Sequence, residues 1–366
     1  MDLSRHALKC VGAVMVSLVV LSWGWRYFTE RAMRARIRRS CALVDSTRTI
    51  FVSVAAYREP HVADTLAQLF ERAACPYRVF VGLCQHANHD DADALEDYTR
   101  AAPVSFERNV RVLRQPAHMA EGPTVARALI RHGLYGGEQY YLQIDAHTVL
   151  REGWDEVLLK ELDDCASDAP VLTGIVPKPF GGTVPETSSF TRATEERDDT
   201  GLPRLEGISA LKKPITPLKS PFLNQCFVFA AGSFAELRQP HAAGAFDGDD
   251  LVAGCVAWCA GWDFFHPRVD VVAQQWERGD RPTFWEQPRN QSPTSLVEVA
   301  LPMLPSDGQR TLAAYEEFTD VGLTTGHCGT RALAGLTKDA TAEERVCKVG
   351  SSSALDAVES LRAGLL

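Results

Sequence analysis

The sequence predicts an α/β protein built on a doubly wound sheet and preceded by an N-terminal transmembrane anchor. Three observations carry that expectation. Cys10 to Trp25 is an unbroken run of apolar and small residues. From Thr49 onward, strand-like and helix-like segments alternate. Residues that open helices or turns, among them Pro60, Gly122-Pro123 and Gly153, fall between them.

The apolar run is bounded by Lys9 and Arg26. As a helix it spans about 24 Å, slightly short for a bilayer core. Trp23, Trp25, Tyr27 and Phe28 cluster at one end, as interfacial aromatics do. Bulky aromatics follow the run where a signal peptidase needs small residues, so an uncleaved anchor over residues 1–28 is expected. Residues 29–48 are rich in arginine and read as a short basic stem with no core of its own.

In the body, Thr49 to Ala56 is almost continuously apolar, as buried parallel strands are. Pro60 opens a helix whose apolar face carries Val62, Leu66, Leu69 and Phe70. Strands follow at Arg78 to Cys84 and Val110 to Arg114. A helix runs from Gly122-Pro123 to about Leu134, and a strand from Gln139 to Ile144. Gly153 to Leu162 is helical and Val171 to Val176 extended. Pro177 to Pro221 changes character: rich in Pro, Gly, Ser, Thr and charge, it reads as a long loop, either a functional lid or a surface insertion. Phe227 to Ala231 returns to strand, Asp249 to Ala260 is a helix, and Phe264 to Val272 holds a short strand. The pattern fades after Pro302, and there is no internal repeat.

A net charge of −9 argues against a broad nucleic-acid-binding face, which needs a basic surplus. It leaves room for a nucleotide ligand, because a metal ion can neutralise a diphosphate locally. Ten cysteines include no C-x-x-C pair, which weakens zinc-ribbon and thioredoxin readings. Cys255 and Cys259 share one helix face as small apolar residues. Disulfides fit a secretory compartment, with pairing left open.

The segment Tyr140-Tyr141-Leu142-Gln143-Ile144-Asp145-Ala146-His147 carries the chemistry: an apolar strand runs directly into an acid and a histidine. Residues i and i+2 of an extended chain share a face. Asp145 and His147 are therefore expected to converge at the strand's C-terminal end, the edge at which open α/β sheets bind ligands. One carboxylate and one imidazole suit Mn²⁺ or a similar divalent ion with positions left for phosphate oxygens. The plainer alternative is an aspartate in a turn beside a surface histidine.

Several ordered blocks around this segment resemble the polypeptide α-N-acetylglucosaminyltransferases, the group with Skp1-hydroxyproline and mucin-threonine GlcNAc transferases. They are Ile50-Phe51-Val52-Ser53-Val54-Ala55-Ala56-Tyr57-Arg58-Glu59-Pro60, Ala74-Cys75-Pro76, Val81-Gly82-Leu83-Cys84-Gln85, and Gly122-Pro123 with Ala126-Arg127. Gln143-x-Asp145-x-His147, Phe227-x-Phe229-Ala230, Phe246-x-Gly248-Asp249-Asp250 and Arg281-Pro282-x-Phe284-Trp285 follow. The resemblance covers about residues 49 to 287. It implies a GT-A fold, a UDP-sugar donor, most simply UDP-GlcNAc, and transfer with retention of configuration to a Ser/Thr or hydroxyproline hydroxyl of a protein. By position it places Tyr57, Arg58, Gln85 and Arg127 near the nucleotide. Asp145 and His147 become metal ligands, and Asp249 and Asp250 the acids that position the acceptor or the donor sugar. Asp also favours helix first turns on its own account.

The chain departs from the family pattern where a histidine normally completes the metal site. Gln274 stands there, within Gln274-Gln275-Trp276-Glu277-Arg278, and an amide oxygen is a poorer ligand than imidazole for a transition metal. The helix after Asp250 also lacks the family's pattern. The expected organisation is an anchor (1–28), a stem (29–48), a GT-A-like catalytic domain (49–300) and a C-terminal extension (301–366). The expected location is a Golgi or other secretory-pathway membrane, single-pass. Six arginines from Arg26 to Arg39 follow the apolar run, against Arg5 and Lys9 before it, so the positive-inside rule favours the opposite, cytoplasmic orientation. Two rival functions are a catalytically impaired relative that binds UDP-sugar or glycoprotein, and a metal-dependent nucleotide-sugar hydrolase.

Overall fold

The computed structural model describes residues 28–246, 248–277, 279, 282–284, 295–306 and 310–349. Its strands are β1 (Ile50–Tyr57), β2 (Val79–Ala87), β3 (Val110–Pro116), β4 (Tyr140–Asp145), β5 (Thr148–Leu150) and β6 (Pro170–Thr173). They continue with β7 (Ser189–Arg197), β8 (Pro203–Ser209), β9 (Leu218–Lys219), β10 (Phe227–Ala231), β11 (Asp263–His266) and β12 (Val272–Gln274). The helices are α1 (residues 28–41), α2 (Val62–Glu71), α3 (Ala94–Ala101), α4 (Pro123–Gly133) and α5 (Trp154–Asp163). After them come α6 (Asp249–Cys259), α7 (Leu296–Ala300), α8 (Leu312–Thr319), α9 (Thr330–Leu333) and α10 (Ala342–Val349).

Eight strands form one sheet in the order β3-β2-β1-β4-β10-β6-β11-β9. β3, β2, β1 and β4 are mutually parallel, whereas β10 runs antiparallel to both β4 and β6. The alternation in β1 explains why both faces are covered. Ile50, Val52 and Val54 pack with Leu66 of α2 and Leu158 of α5. Phe51, on the opposite face, packs with Ile130 of α4 and Leu251 of α6 within the second core cluster. Gly82 of β2 leaves room for Phe51, since a Cβ there would lie 2.3 Å from the Phe51 ring.

The segment between Pro177 and Pro221 is not a structureless loop. β7 and β8 form an antiparallel hairpin with Phe190 and Ala193 buried. Its apolar positions are too sparse among Ser, Thr and charge for their period to show in the sequence. The short strand expected within Phe264 to Val272 is β11, which joins the main sheet, and a second strand, β12, begins at Val272 and pairs with β5. α3 was not foreseen. Asp93 caps it by accepting from the amides of Leu95 and Glu96, both at 3.0 Å.

Among the described residues no helix is long and apolar enough to cross a membrane. The expected anchor falls almost wholly on residues 1–27, outside the described residues. The stem is helical and docked rather than free. A Cys41–Cys75 disulfide joins α1 to the body, and Ile37 packs against the core. Beside the disulfide the Arg78 guanidinium, fully buried, donates to Asp155 (2.7 Å) and to Glu156. The described residues beyond Pro302, where the sequence pattern fades, fold onto the body, with the Tyr315 ring of α8 tilted against Trp258 of α6 at 5.8 Å.

Candidate functional site

The parallel strands end at a cleft of about 550 Å³. Asp145 closes β4 there, paired with Ala55 of β1. The chain then turns: Thr148 Oγ1 donates to the Asp145 carbonyl (2.7 Å) and Thr65 Oγ1 to the Ala146 carbonyl (2.9 Å). His147 sits in this turn, so it meets Asp145 through a tight reversal and not through the extended i, i+2 geometry expected from the sequence. β5 continues from the turn and pairs with β12, setting Gln274 opposite Thr148.

The fully buried Gln274 amide nitrogen lies 2.8 Å from Asp145 Oδ2 and 2.8 Å from His147 Nε2. The distant strand therefore does reach the site, and Gln274 is not a surface residue. On the other side of the imidazole, Glu59 Oε2 lies 3.3 Å from Nδ1. The Gln274 amide nitrogen makes Nε2 the accepting ring nitrogen, facing the same point as Asp145, and leaves Nδ1 on the side of Glu59. That donor set fits a divalent cation: a carboxylate oxygen and a correctly presented imidazole nitrogen converge. Gln274 Oε1 is buried without a hydrogen-bond partner, and exchanging the two ends of the amide turns this oxygen inward as a third donor. Among the described residues no three His, Cys, Asp or Glu side chains form a metal cluster, so any site here depends on that amide.

Arg127, from the second turn of α4, bridges the two acidic elements. Its guanidinium lies 3.0 Å from Asp249 Oδ2 and 3.5 Å from Asp145 Oδ1. Burial works against this cation, but Asp249, Asp145 and Asp250 outweigh it and raise its pKa. Asp249 opens α6 after Gly248, which holds φ +74°. Burial, reinforced by the Asp250 charge and only partly offset by Arg127, pushes its pKa up to about 7. Asp250 is differently employed: one oxygen accepts from the Gln225 amide (2.6 Å) and the other from Asn224 Nδ2 (3.3 Å). It thereby fixes the 224–226 segment beside β4, while both acids line the cleft. Burial and the charges of Asp145 and Asp250 hold the Cys226 thiol protonated, its pKa well above the ordinary value.

Tyr57 lines the cleft, as the resemblance implied. Its ring packs edge-on against Phe284 (5.9 Å), and its hydroxyl is buried with no partner. Arg58 and Gln85 are placed otherwise. Arg58 pairs with Asp91 at 2.9 Å, and Gln85 donates to the Ala92 carbonyl (2.8 Å), holding the loop before α3. Neither lines the cleft. Strand alternation is the reason at β2, where His86, next to Gln85, faces the cleft instead. The sequence reading also missed Glu59, although it lies inside the first quoted block. Part of the β7–β8 hairpin, including Leu205 and Glu206, forms another wall.

The family model described as Glycosyltransferase (GlcNAc) matches residues 49–105 and 91–304. Comparison with curated proteins finds no match. Among solved structures the chain is similar to S. aureus TarS 1-349 in complex with UDP-GlcNAc, at 12% identity and TM-score 0.41, over 64% of this chain and 60% of that one. It is also similar to the mannosyltransferase PcManGT from Pyrobaculum calidifontis in complex with GDP-Man and Mn²⁺, at 12% identity and TM-score 0.43, over 70% and 67% of the two chains. The chain thus spans about 60% of the length of that TarS chain.

Proposed function

The chain belongs to the GlcNAc glycosyltransferase family, and from that premise we propose that it transfers N-acetylglucosamine from UDP-GlcNAc to a protein hydroxyl with retention of configuration. The observation that carries this reading is the convergence of Asp145 and His147 on one point, at the cleft edge of the sheet, beside Arg127. Asp145, Asp249 and Asp250 give the centre three carboxylates around one guanidinium. A diphosphate entering such a centre is repelled unless a cation accompanies it. Asp145, His147 and, with its amide exchanged, the Gln274 oxygen would hold a divalent ion, which would supply that compensation and Lewis-acid stabilisation of the departing diphosphate.

The chain's own groups do the rest. Arg127 adds positive charge next to the leaving UDP. Asp249 accepts a hydrogen bond from a sugar or acceptor hydroxyl at the mouth of α6. The bond from the anomeric carbon to the β-phosphate oxygen breaks, the acceptor oxygen bonds to that carbon, and the acceptor proton passes to the departing phosphate. Retention by this same-face route needs no enzyme nucleophile. The Cys41–Cys75 disulfide supports placing the body in an oxidising secretory lumen, against the arginine distribution.

One observation favours a second reading, a relative that binds donor without turnover: the Gln274 nitrogen, not its oxygen, faces Asp145 and His147. Incubation with radiolabelled UDP-GlcNAc, Mn²⁺ and Ser/Thr or hydroxyproline peptides separates the readings. Equimolar UDP and glycopeptide are expected. Free GlcNAc without acceptor indicates a hydrolase. Donor binding with no UDP release establishes the impaired relative.

A further inference from the structure

We propose that Glu59 is the positioning residue of the Asp145–His147 centre, and that the left-handed turn at Arg58 exists to deliver it. The proposal rests on the metal-dependent reading above and assigns the role to residues on a different strand connection.

Glu59 sits two residues beyond β1, yet its side chain is only 6% exposed. Both of its oxygens are engaged. Oε1 accepts from the His61 amide (3.1 Å), and Oε2 faces His147 Nδ1 (3.3 Å). The carboxylate is thus locked by the backbone on one side and orients the imidazole on the other. Nε2 faces the Gln274 amide nitrogen at 2.8 Å and so acts as the acceptor, the form a metal ligand requires, while Nδ1 faces Glu59. A carboxylate behind a histidine also makes the ring a stronger donor to a cation.

The backbone that brings Glu59 there is unusual. Arg58 has φ +45°, a region that residues other than glycine seldom adopt. Two contacts hold it: its amide donates to the His86 carbonyl (2.8 Å), and its guanidinium grips Asp91 at 2.9 and 3.2 Å. Asp91 is itself fixed by the Asn88 amide (2.8 Å). The Arg58 side chain therefore clamps a strained turn, and the turn reverses the chain so that Glu59 points back toward His147.

The test uses the full-length chain and two readouts. Mn²⁺ affinity is measured by electron paramagnetic resonance, and the His147 tautomer by ¹⁵N imidazole shifts without metal. Glu59→Leu should weaken Mn²⁺ binding by ~10–100-fold and lose the Nδ1–H tautomer. Glu59→Gln, whose amide oxygen still accepts from Nδ1–H, should keep the tautomer and recover most of the affinity. Arg58→Gly should bind Mn²⁺ like the wild type, because glycine adopts the turn without a clamp, whereas Arg58→Val should behave like Glu59→Leu. Wild-type affinity in Glu59→Leu, or an Nε2–H ring in the wild type, overturns the proposal. A wild type that binds no Mn²⁺ overturns the metal reading of function, and the ring spectra then decide the role of Glu59 alone.

Discussion

Arg78 and Arg127 are both buried cations among carboxylates, at opposite edges of the same parallel strands. Arg78 precedes β2, where the strands begin. Its partner Asp155 also accepts from the amides of Ala74 (2.7 Å) and Cys75 (3.0 Å), and a third guanidinium nitrogen donates to the Asp45 carbonyl (2.9 Å). Both side chains are fully buried and their hydrogen-bonding capacity is used. Arg127 lies where the strands end, and there the accounts do not close. Asp145 and Asp249 keep 24% and 16% exposure, and the acids outnumber the base. One residue type in one low-dielectric setting thus makes a structural knot when its partners are saturated. It makes a candidate active centre when negative charge is left over and faces a cleft.

From that contrast, the largest effect on stability is expected at the knot. Arg78→Met should destabilise the protein by ~3–5 kcal/mol, because Asp155 is left as an uncompensated buried charge. Urea unfolding followed by circular dichroism measures it, and a change below about 1 kcal/mol would remove the distinction between the two clusters.

At the open cluster the large effect should fall on turnover instead. Asp145→Asn is expected to cut Mn²⁺-dependent sugar transfer by at least ~100-fold while leaving the unfolding midpoint close to wild type. A variant that unfolds like Arg78→Met would show that Asp145 is as structural as Asp155.

The smallest effect sharpens the comparison through pH. The folded-state pKa of Asp249, about 7, lies above the model-compound value of 3.8. Between these values the folded chain holds a proton that the unfolded chain has released. The stabilising contribution is therefore complete below 3.8 and is lost as pH rises through about 7. Asp249→Asn removes this dependence, so without divalent ions the variant should gain stability relative to wild type between pH 4.5 and 8. Parallel curves for the two proteins would place Asp249 outside the charge-surplus cluster.

Much of the frame was legible because the signals were local. The apolar runs of β1, β2 and β4 lie within a few residues of the expected limits, and Gly122-Pro123 starts α4, with Gly122 at φ +109° as its position demands. The β7–β8 hairpin, α3 and the helices after Pro302 were not legible. Their stability comes from caps and distant packing partners, such as Asp93 at α3 and Trp258 beneath Tyr315, which leave no period in the sequence.

The same division runs through the site. The sequence by itself determined that Asp145 ends a buried strand with His147 two residues on, and that Asp249 and Asp250 open a helix, since strand and helix limits follow from apolar pattern and turn residues. Only the tertiary structure decided that Asp250, besides lining the cleft with Asp249, also ties down the 224–226 segment. It turned Gln85 and Arg58 away, turned His86 and Glu59 in, and carried Gln274 from 129 residues further along the chain to within 2.8 Å of Asp145. Side-chain direction at a strand end depends on the hydrogen bonds offered by other elements, and no pattern of neighbours along the chain encodes those bonds.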